Sequence, residues 1–177
     1  MNIVLLTGSA HRSGTTATLA REFQRGAEDA GHEVFRFDAA FHDVHPCIGC
    51  DRCRREGVCT FAADDMKRLN PHLLAAEAVV FVSPIYYFDL SAQLKAVIDR
   101  FYANDDALHG GKRALLLTAM ADEDLGAAEG ADTTFRSICA YLQWENAGIL
   151  NAAGASTAED LTEEDLRRAY DLGKDLK

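Results

Sequence analysis

The segment Ile3-Val4-Leu5-Leu6-Thr7-Gly8-Ser9-Ala10-His11-Arg12-Ser13-Gly14-Thr15-Thr16 opens with four apolar residues and then turns small and polar. A short unbroken apolar run suits a strand covered on both faces, as in a parallel sheet, and Thr7-Gly8-Ser9 marks its exit into a loop. A helix is expected next. Leu19, Ala20, Phe23 and Ala27 recur on one helical face, Arg21, Glu22, Arg25 and Glu28 lie on the other, and Gly31 supplies the stop.

The same alternation runs down the chain. Strands are expected at 34–37, at 78–83, which holds the longest apolar run and so belongs at the centre of the sheet, at 114–118, and more weakly at 146–150. Between them lie the helical patterns Met66/Leu69/Leu73, Leu94/Val97/Ile98/Phe101, Phe135/Ile138/Cys139/Leu142 and Leu166/Ala169/Tyr170/Gly173. Parallel strands need crossovers and helices must cover both sheet faces, so the order predicts a three-layer α/β fold. Five parallel strands suggest the flavodoxin-like order 2-1-3-4-5 in a single domain over 1–177. Ligands in such sheets bind beyond the carboxyl ends of the strands, at the switch point between strands one and three.

The loop after the first strand packs hydroxyls, glycines and an arginine at a helix N-terminus, where free N–H groups and the helix dipole favour a phosphate. It has no Walker lysine, and its glycines do not form GxGxxG; Asp38 lies too far along for a dinucleotide ribose. A single terminal phosphate fits best, against the simpler alternative that Ser13 and Thr15 merely cap the helix. After the third strand, Ser83-Pro84-Ile85-Tyr86-Tyr87-Phe88 puts three aromatics at the mouth of the same region. They suit either a flat heteroaromatic ring or the sealing of a core or dimer interface.

Residues 39–63 carry no period but hold four of the five cysteines, as Cys47-x2-Cys50-x2-Cys53-x5-Cys59, together with His42 and His45. An irregular connection of this length is usually functional. The spacing suits a four-iron four-sulfur cluster; a zinc site with a histidine as spare ligand, a redox-active disulfide, or an empty loop of reduced thiols stay open beside it. Cys139, on an apolar helix face, reads as core. Asp64 and Asp65 read as the N-cap and first-turn acids of the next helix, and the runs Asp122-Glu123-Asp124 and Glu163-Glu164-Asp165 as solvated faces or helix starts.

These motifs, in order, resemble the flavodoxin-like NAD(P)H-dependent FMN reductases and their iron-sulfur flavoprotein relatives. The carriers are the Gly8–Thr16 loop, the cysteine loop, Asp64-Asp65-Met66, Ser83-Pro84-Ile85-Tyr86-Tyr87 and Leu94-Lys95-Ala96-Val97-Ile98-Asp99-Arg100. The resemblance implies that Ser9, His11, Arg12, Ser13, Gly14, Thr15 and Thr16 hold the FMN phosphate. Pro84, Ile85, Tyr86 and Tyr87 would line the isoalloxazine, with Thr118, Ala119 and Met120 on its other side. It implies an oxidoreductase that takes hydride from NADH or NADPH and reduces a quinone, flavin or other small acceptor. The flavin then carries the chemistry and no side-chain acid or base is obligatory. The alternative it implies is an electron-transfer protein whose 4Fe-4S cluster on Cys47, Cys50, Cys53 and Cys59 exchanges electrons with a ferredoxin-like partner. A homodimer or homotetramer is implied in either case, and Asp99 and Arg100 read as a structural or interface pair.

The composition agrees with an ordinary globular chain: 177 residues, 48% apolar and 26% charged. A net charge of -10 argues against nucleic acid and anionic membrane surfaces. No apolar run approaches the roughly 20 residues of a spanning helix. With no signal-like leader at Met1, a cytoplasmic, reducing compartment is the expectation.

Overall fold

The computed structural model describes residues 1–177. In chain order its elements are β1 (Asn2–Thr7), α1 (Thr15–Asp29), β2 (Glu33–Asp38), α2 (Arg52–Glu56), α3 (Met66–Ala75), β3 (Ala78–Tyr86), β4 (Asp89–Leu90), α4 (Ala92–Asp99), α5 (Asp105–Leu108), β5 (Arg113–Ala119), α6 (Glu129–Leu142), β6 (Glu145–Ala152) and α7 (Glu163–Lys174). The parallel path is β2-β1-β3-β5-β6, the expected 2-1-3-4-5 order of five strands. The sheet has a sixth strand that the sequence pattern did not signal. β4, two residues long, pairs antiparallel with the end of β3, too short to show any alternation.

Because the strand runs are apolar throughout, alternate residues feed opposite faces. Val4, Leu6, Val79, Phe81 and Leu116 join one core cluster with Leu69, Leu94 and Phe135 of α3, α4 and α6. Ile3, Leu5, Val80, Val82 and Leu117 join a second with Leu19 and Phe23 of α1 and Ala169 of α7. These two clusters are the interfaces of a three-layer sandwich.

The helices α1 and α7 touch backbone to backbone. A Cβ on Gly26 would lie 2.0 Å from the Tyr170 carbonyl oxygen, and one on Gly173 would lie 2.1 Å from that of Phe23. Lys112 is buried beyond α3 and donates to the carbonyls of Leu74 (3.1 Å) and Ala76 (2.6 Å); burial holds its pKa below the ordinary lysine value. α7 starts as its acidic run suggested, with Thr162 and Asp165 forming a capping box. No helix is long and apolar enough to cross a membrane.

Gly173→Ala should destabilise the protein. Alanine gains about 1 kcal/mol of helix propensity, but a methyl forced against a backbone carbonyl costs about 1–3 kcal/mol and requires the helices to part. A lowered Tm in thermal denaturation is the expected outcome; an unchanged or raised one would show that the two helices can separate freely.

Candidate functional site

The carboxyl ends of β1, β3, β5 and β6 open on a cleft of about 630 Å³, within the usual size range for small-molecule sites. Its floor comes from the first loop. α1 begins at Thr15 with Gly14 as N-cap, and no side chain caps it. Ser9 Oγ instead accepts from the His11 N–H at 3.1 Å. The hydroxyls of Ser13, Thr15 and Thr16 are therefore not used as caps, and the first N–H groups of the helix face the cleft region without a side-chain acceptor. A Cβ on Gly14 would stand 3.0 Å from that of His11, so the loop is already tight.

Of the residues expected at the site, the cleft is lined by Ser9, His11, Ser13, Gly14, Thr15 and Thr16, by Pro84, Ile85 and Tyr86, and by Ala119 with Met120. Three fall outside the lining. The Arg12 guanidinium stacks over Phe41, 3.7 Å from the ring centroid. Tyr87 is 98% exposed. Thr118 is buried, its hydroxyl donating to the Asn151 side chain at 2.7 Å. Asp38 is committed inside the fold, accepting from Thr7 and Arg36.

The sequence reading missed one wall, Ala155 to Glu159, which follows β6 and lines the cleft. Met120 and Ala155 tie it there: Met120 N–H donates to the Ala152 carbonyl and Ala155 N–H to the Met120 carbonyl. The rule that ligands sit at carboxyl ends applies to the last strand too, and Ser156-Thr157 was the visible signal.

A second missed residue is Ser91, the side-chain N-cap of α4. It is fully buried. Its Oγ donates to the Gly8 carbonyl at 2.9 Å, and its N–H donates to Ser83 Oγ at 2.9 Å. One residue thus joins the loop after β1 to the loop after β3. Gly8 must be glycine here, since a Cβ would sit 2.2 Å from Ser91 Oγ.

After Ser83 the chain makes a tight hairpin whose central residues, Tyr87 (φ 47°) and Phe88 (φ 67°), are both left-handed, the conformation of a type I′ turn. Gly130 of α6 lets it dock, because a Cβ there would lie 2.2 Å from the Phe88 carbonyl oxygen. Asp89 then accepts from the Thr134 hydroxyl.

The cysteine loop forms a separate site. All five cysteines are unpaired thiols, and Cys47, Cys50, Cys53 and Cys59 border one small pocket with Phe61, Arg100 and Tyr102. Left-handed Gly49 and Asp51 turn the backbone around Cys50. Tyr102 donates to Asp51 at 2.8 Å and Arg54 to Asp105 at 2.8 Å, which fastens α2 to the body of the protein. No three His, Cys, Asp or Glu side chains converge on a single metal ion. A zinc site needs thiols only about 3.8 Å apart, two 2.3 Å bonds at a tetrahedral angle. Cys139 is buried, and its thiol is pushed up to about 11 by that burial, an inert core group as expected.

The pair expected between Asp99 and Arg100 does not form. Asp99 pairs with Lys95 on the solvent side of α4. Arg100, at the end of the helix, turns inward to Asp64 at 2.5 Å, both side chains almost fully buried. Asp64, one residue before the N-cap Asp65, also accepts from the Met66 N–H at 3.0 Å, but no side chain caps α3 and its first turn holds no acid, so the expected N-cap and first-turn roles are not made. Asp65 instead points back to accept from the Asp43 N–H and His42, contacts that hold its carboxyl below the ordinary range, the Asp43 N–H foremost.

Residues 1–148 match the NADPH-dependent FMN reductase family. The chain belongs to that family. An iron-sulfur flavoprotein of Methanocaldococcus jannaschii is 33% identical over 100 residues, 56% of this chain and 51% of that one. An FMN-dependent NADH:quinone oxidoreductase of Methylorubrum extorquens is 32% identical over 126 residues, 63% of this chain and 62% of that one. The FMN reductase family match thus comes with relatives of which the chain spans about half the length in the iron-sulfur case. Among solved structures, an NAD(P)H:quinone oxidoreductase from Methanothermobacter marburgensis superposes with a TM-score of 0.73 at 20% identity, covering 99% of this chain and 95% of the other. That likeness establishes the flavodoxin-like fold.

Ser91→Ala would strand the buried Gly8 carbonyl and uncap α4. A loss of about 2 kcal/mol in unfolding free energy is expected, read by chemical denaturation; a change within about 0.5 kcal/mol would show that water or another donor replaces the hydroxyl.

Proposed function

We propose that the protein is an FMN-dependent oxidoreductase that takes hydride from NADH or NADPH and reduces a quinone, flavin or other small acceptor. The observation that carries this reading is the pairing, in one cleft, of an uncapped helix N-terminus ringed by hydroxyls with the Pro84-Ile85-Tyr86 edge. The residues fit the group. Ser9, Ser13, Thr15 and Thr16, with the N–H groups opening α1, would hold the phosphate. Ile85 and Tyr86 on one side and Ala119 and Met120 on the other would bracket the ring. When bound, FMN supplies hydride acceptance and stepwise electron release. The chain's own task is to anchor the phosphate, orient the ring and shield one face of it, so no side chain here is assigned as acid or base.

The relatives named above as quinone oxidoreductases and iron-sulfur flavoproteins support this reading, as does their family. We place the protein in the cytoplasm, as a homodimer or homotetramer in which a second copy covers the exposed Tyr87 and Phe88.

A second reading is favoured by the cysteine loop: a 4Fe-4S cluster on Cys47, Cys50, Cys53 and Cys59, passing electrons between the flavin and a ferredoxin-like partner. The four thiols line one pocket, and four cysteine thiolates are the donor set that such a cluster takes. Arg100, which has a buried Nε–H without a partner, also lines that pocket.

Ser13→Glu should weaken FMN binding at least tenfold while leaving riboflavin binding unchanged, because like unit charges about 4 Å apart repel by about 1–4 kcal/mol between aqueous and near-surface dielectrics. Flavin fluorescence quenching measures both. Equal effects on the two ligands would remove the phosphate from that loop, and a protein that neither binds FMN nor oxidises NAD(P)H with any acceptor would end the reading. For the cluster, anaerobic reconstitution should load about four irons and four sulfides per chain; an iron-free protein sinks the second reading alone.

A further inference from the structure

We propose that Arg100 sets the redox potential of the cysteine-loop centre, acting as the positive end of a buried dipole whose negative end is Asp64. This rests on the cluster reading of the loop.

The geometry is one-sided. Arg100 is 3% exposed and borders the cysteine pocket, whereas Asp64, equally buried, does not line it. The rest of the guanidinium is committed to the loop's own frame. Nη1 donates to Asp64 and to the His45 carbonyl at 2.8 Å, and Nη2 to the Phe61 carbonyl at 3.1 Å. Those carbonyls lie on either side of the four cysteines in sequence, so one side chain clamps both ends of the segment that carries them. Only Nε–H, also buried, has no partner. Cys59 lines the same pocket as Arg100.

A buried ion pair of this kind contributes little net stability over an apolar pair of the same volume. Its orientation, however, leaves an uncancelled positive field on one side. Four thiolates make the centre anionic, and net charge and hydrogen bonds to sulfur set the potential of such centres. Were a cluster bound there, its reduction would add one electron supplied by reduced flavin, with no bond formed or broken, and that electron would leave to an external one-electron acceptor. A fixed cation beside the centre stabilises that added charge and raises the potential. Arg100 is a positioning residue in this scheme, since it reaches the reacting electrons only through the cluster.

Two variants separate this electrostatic role from a structural one. Asp64→Asn keeps the hydrogen-bonding shape but removes the negative end, so the cluster's midpoint potential should rise. Adding Arg100→Gln on that background removes the positive end, so the potential should fall below the wild-type value. The first step should change the reduction equilibrium about threefold and the second, from the nearer charge, about tenfold in the opposite direction, which is 59 mV for a one-electron couple. The measurement is EPR-monitored redox titration of anaerobically reconstituted protein, with iron content and thermal melting recorded for each variant and the flavin potential as internal control. Shifts of the same sign, or none in Asp64→Asn with iron intact, would overturn the proposal and leave the cluster reading standing. If Asp64→Asn with Arg100→Gln fails to fold, the sign in Asp64→Asn against wild type decides. A wild-type chain that takes up no iron and sulfide would instead overturn the cluster reading itself.

Discussion

The hydroxyl of Ser91 is the joint on which both halves of the cleft hang. The loop after β1 and the loop after β3 come from neighbouring strands, but nothing in a parallel ladder holds their free ends together once the strands stop. Ser91 does so with two buried hydrogen bonds, to the Gly8 carbonyl and from its own N–H to Ser83 Oγ. Buried bonds of this sort add only about 1 kcal/mol each, yet the cost of leaving their partners unpaired is larger. The alternative arrangement, in which the loops drift apart, is therefore disfavoured by more than the bonds themselves are worth. The absence of a Cβ at Gly8 is the steric condition for this contact.

The same residue starts α4, and that helix relates the two candidate sites. Ser91 stands at its N-terminus beside the cleft, and Arg100 follows Asp99 at its other end. Nine residues at 1.5 Å each put them about 14 Å apart along the axis. One face of α4 carries Leu94, Val97 and Ile98 into the core, so the helix cannot slide without disturbing the cluster under the sheet. The cysteine loop and the cleft are thereby held to one rigid element, although they lie in different connections of the chain.

Much of this was legible in the residue pattern. The strand runs at 3–6 and 78–82 and the helical faces of α1 and α6 carry strong periodicity, because each buries an entire face or stripe, and their order gave the sheet topology. The cleft's floor was legible as chemistry, since hydroxyls and glycines at a helix start have few other uses in combination. What escaped depended on tertiary contact. β4 is two residues of a hairpin whose turn, Tyr87-Phe88, lacks the glycine or asparagine that marks such turns. Arg100 looked paired with its neighbour Asp99, but adjacent helical residues point in different directions, and its partner Asp64 lies 36 residues away. Arg12 was the one basic side chain in an anion-binding sequence, yet Phe41 offered it an aromatic face instead. The excess of acid is concentrated after residue 120, and of that segment one acidic residue, Glu159, comes to line the cleft beside the first loop, a placement that only the fold reveals.

The Tyr87-Phe88 turn holds two bulky residues in left-handed backbone, each costing of order 1–3 kcal/mol. The cost is offset locally: the Phe88 carbonyl settles against Gly130, Asp89 accepts from Thr134, and β4 pairs with β3. Neither aromatic side chain contributes to that balance, because both are largely exposed. The turn therefore does its work through backbone geometry. By reversing the chain within two residues it keeps Tyr86 on the cleft wall and returns the chain in time for Ser91 to reach Gly8. A longer, relaxed loop would place Tyr86 as easily but would loosen the connection from Ser83 to Ser91, and with it the joint that holds the two halves of the cleft in register.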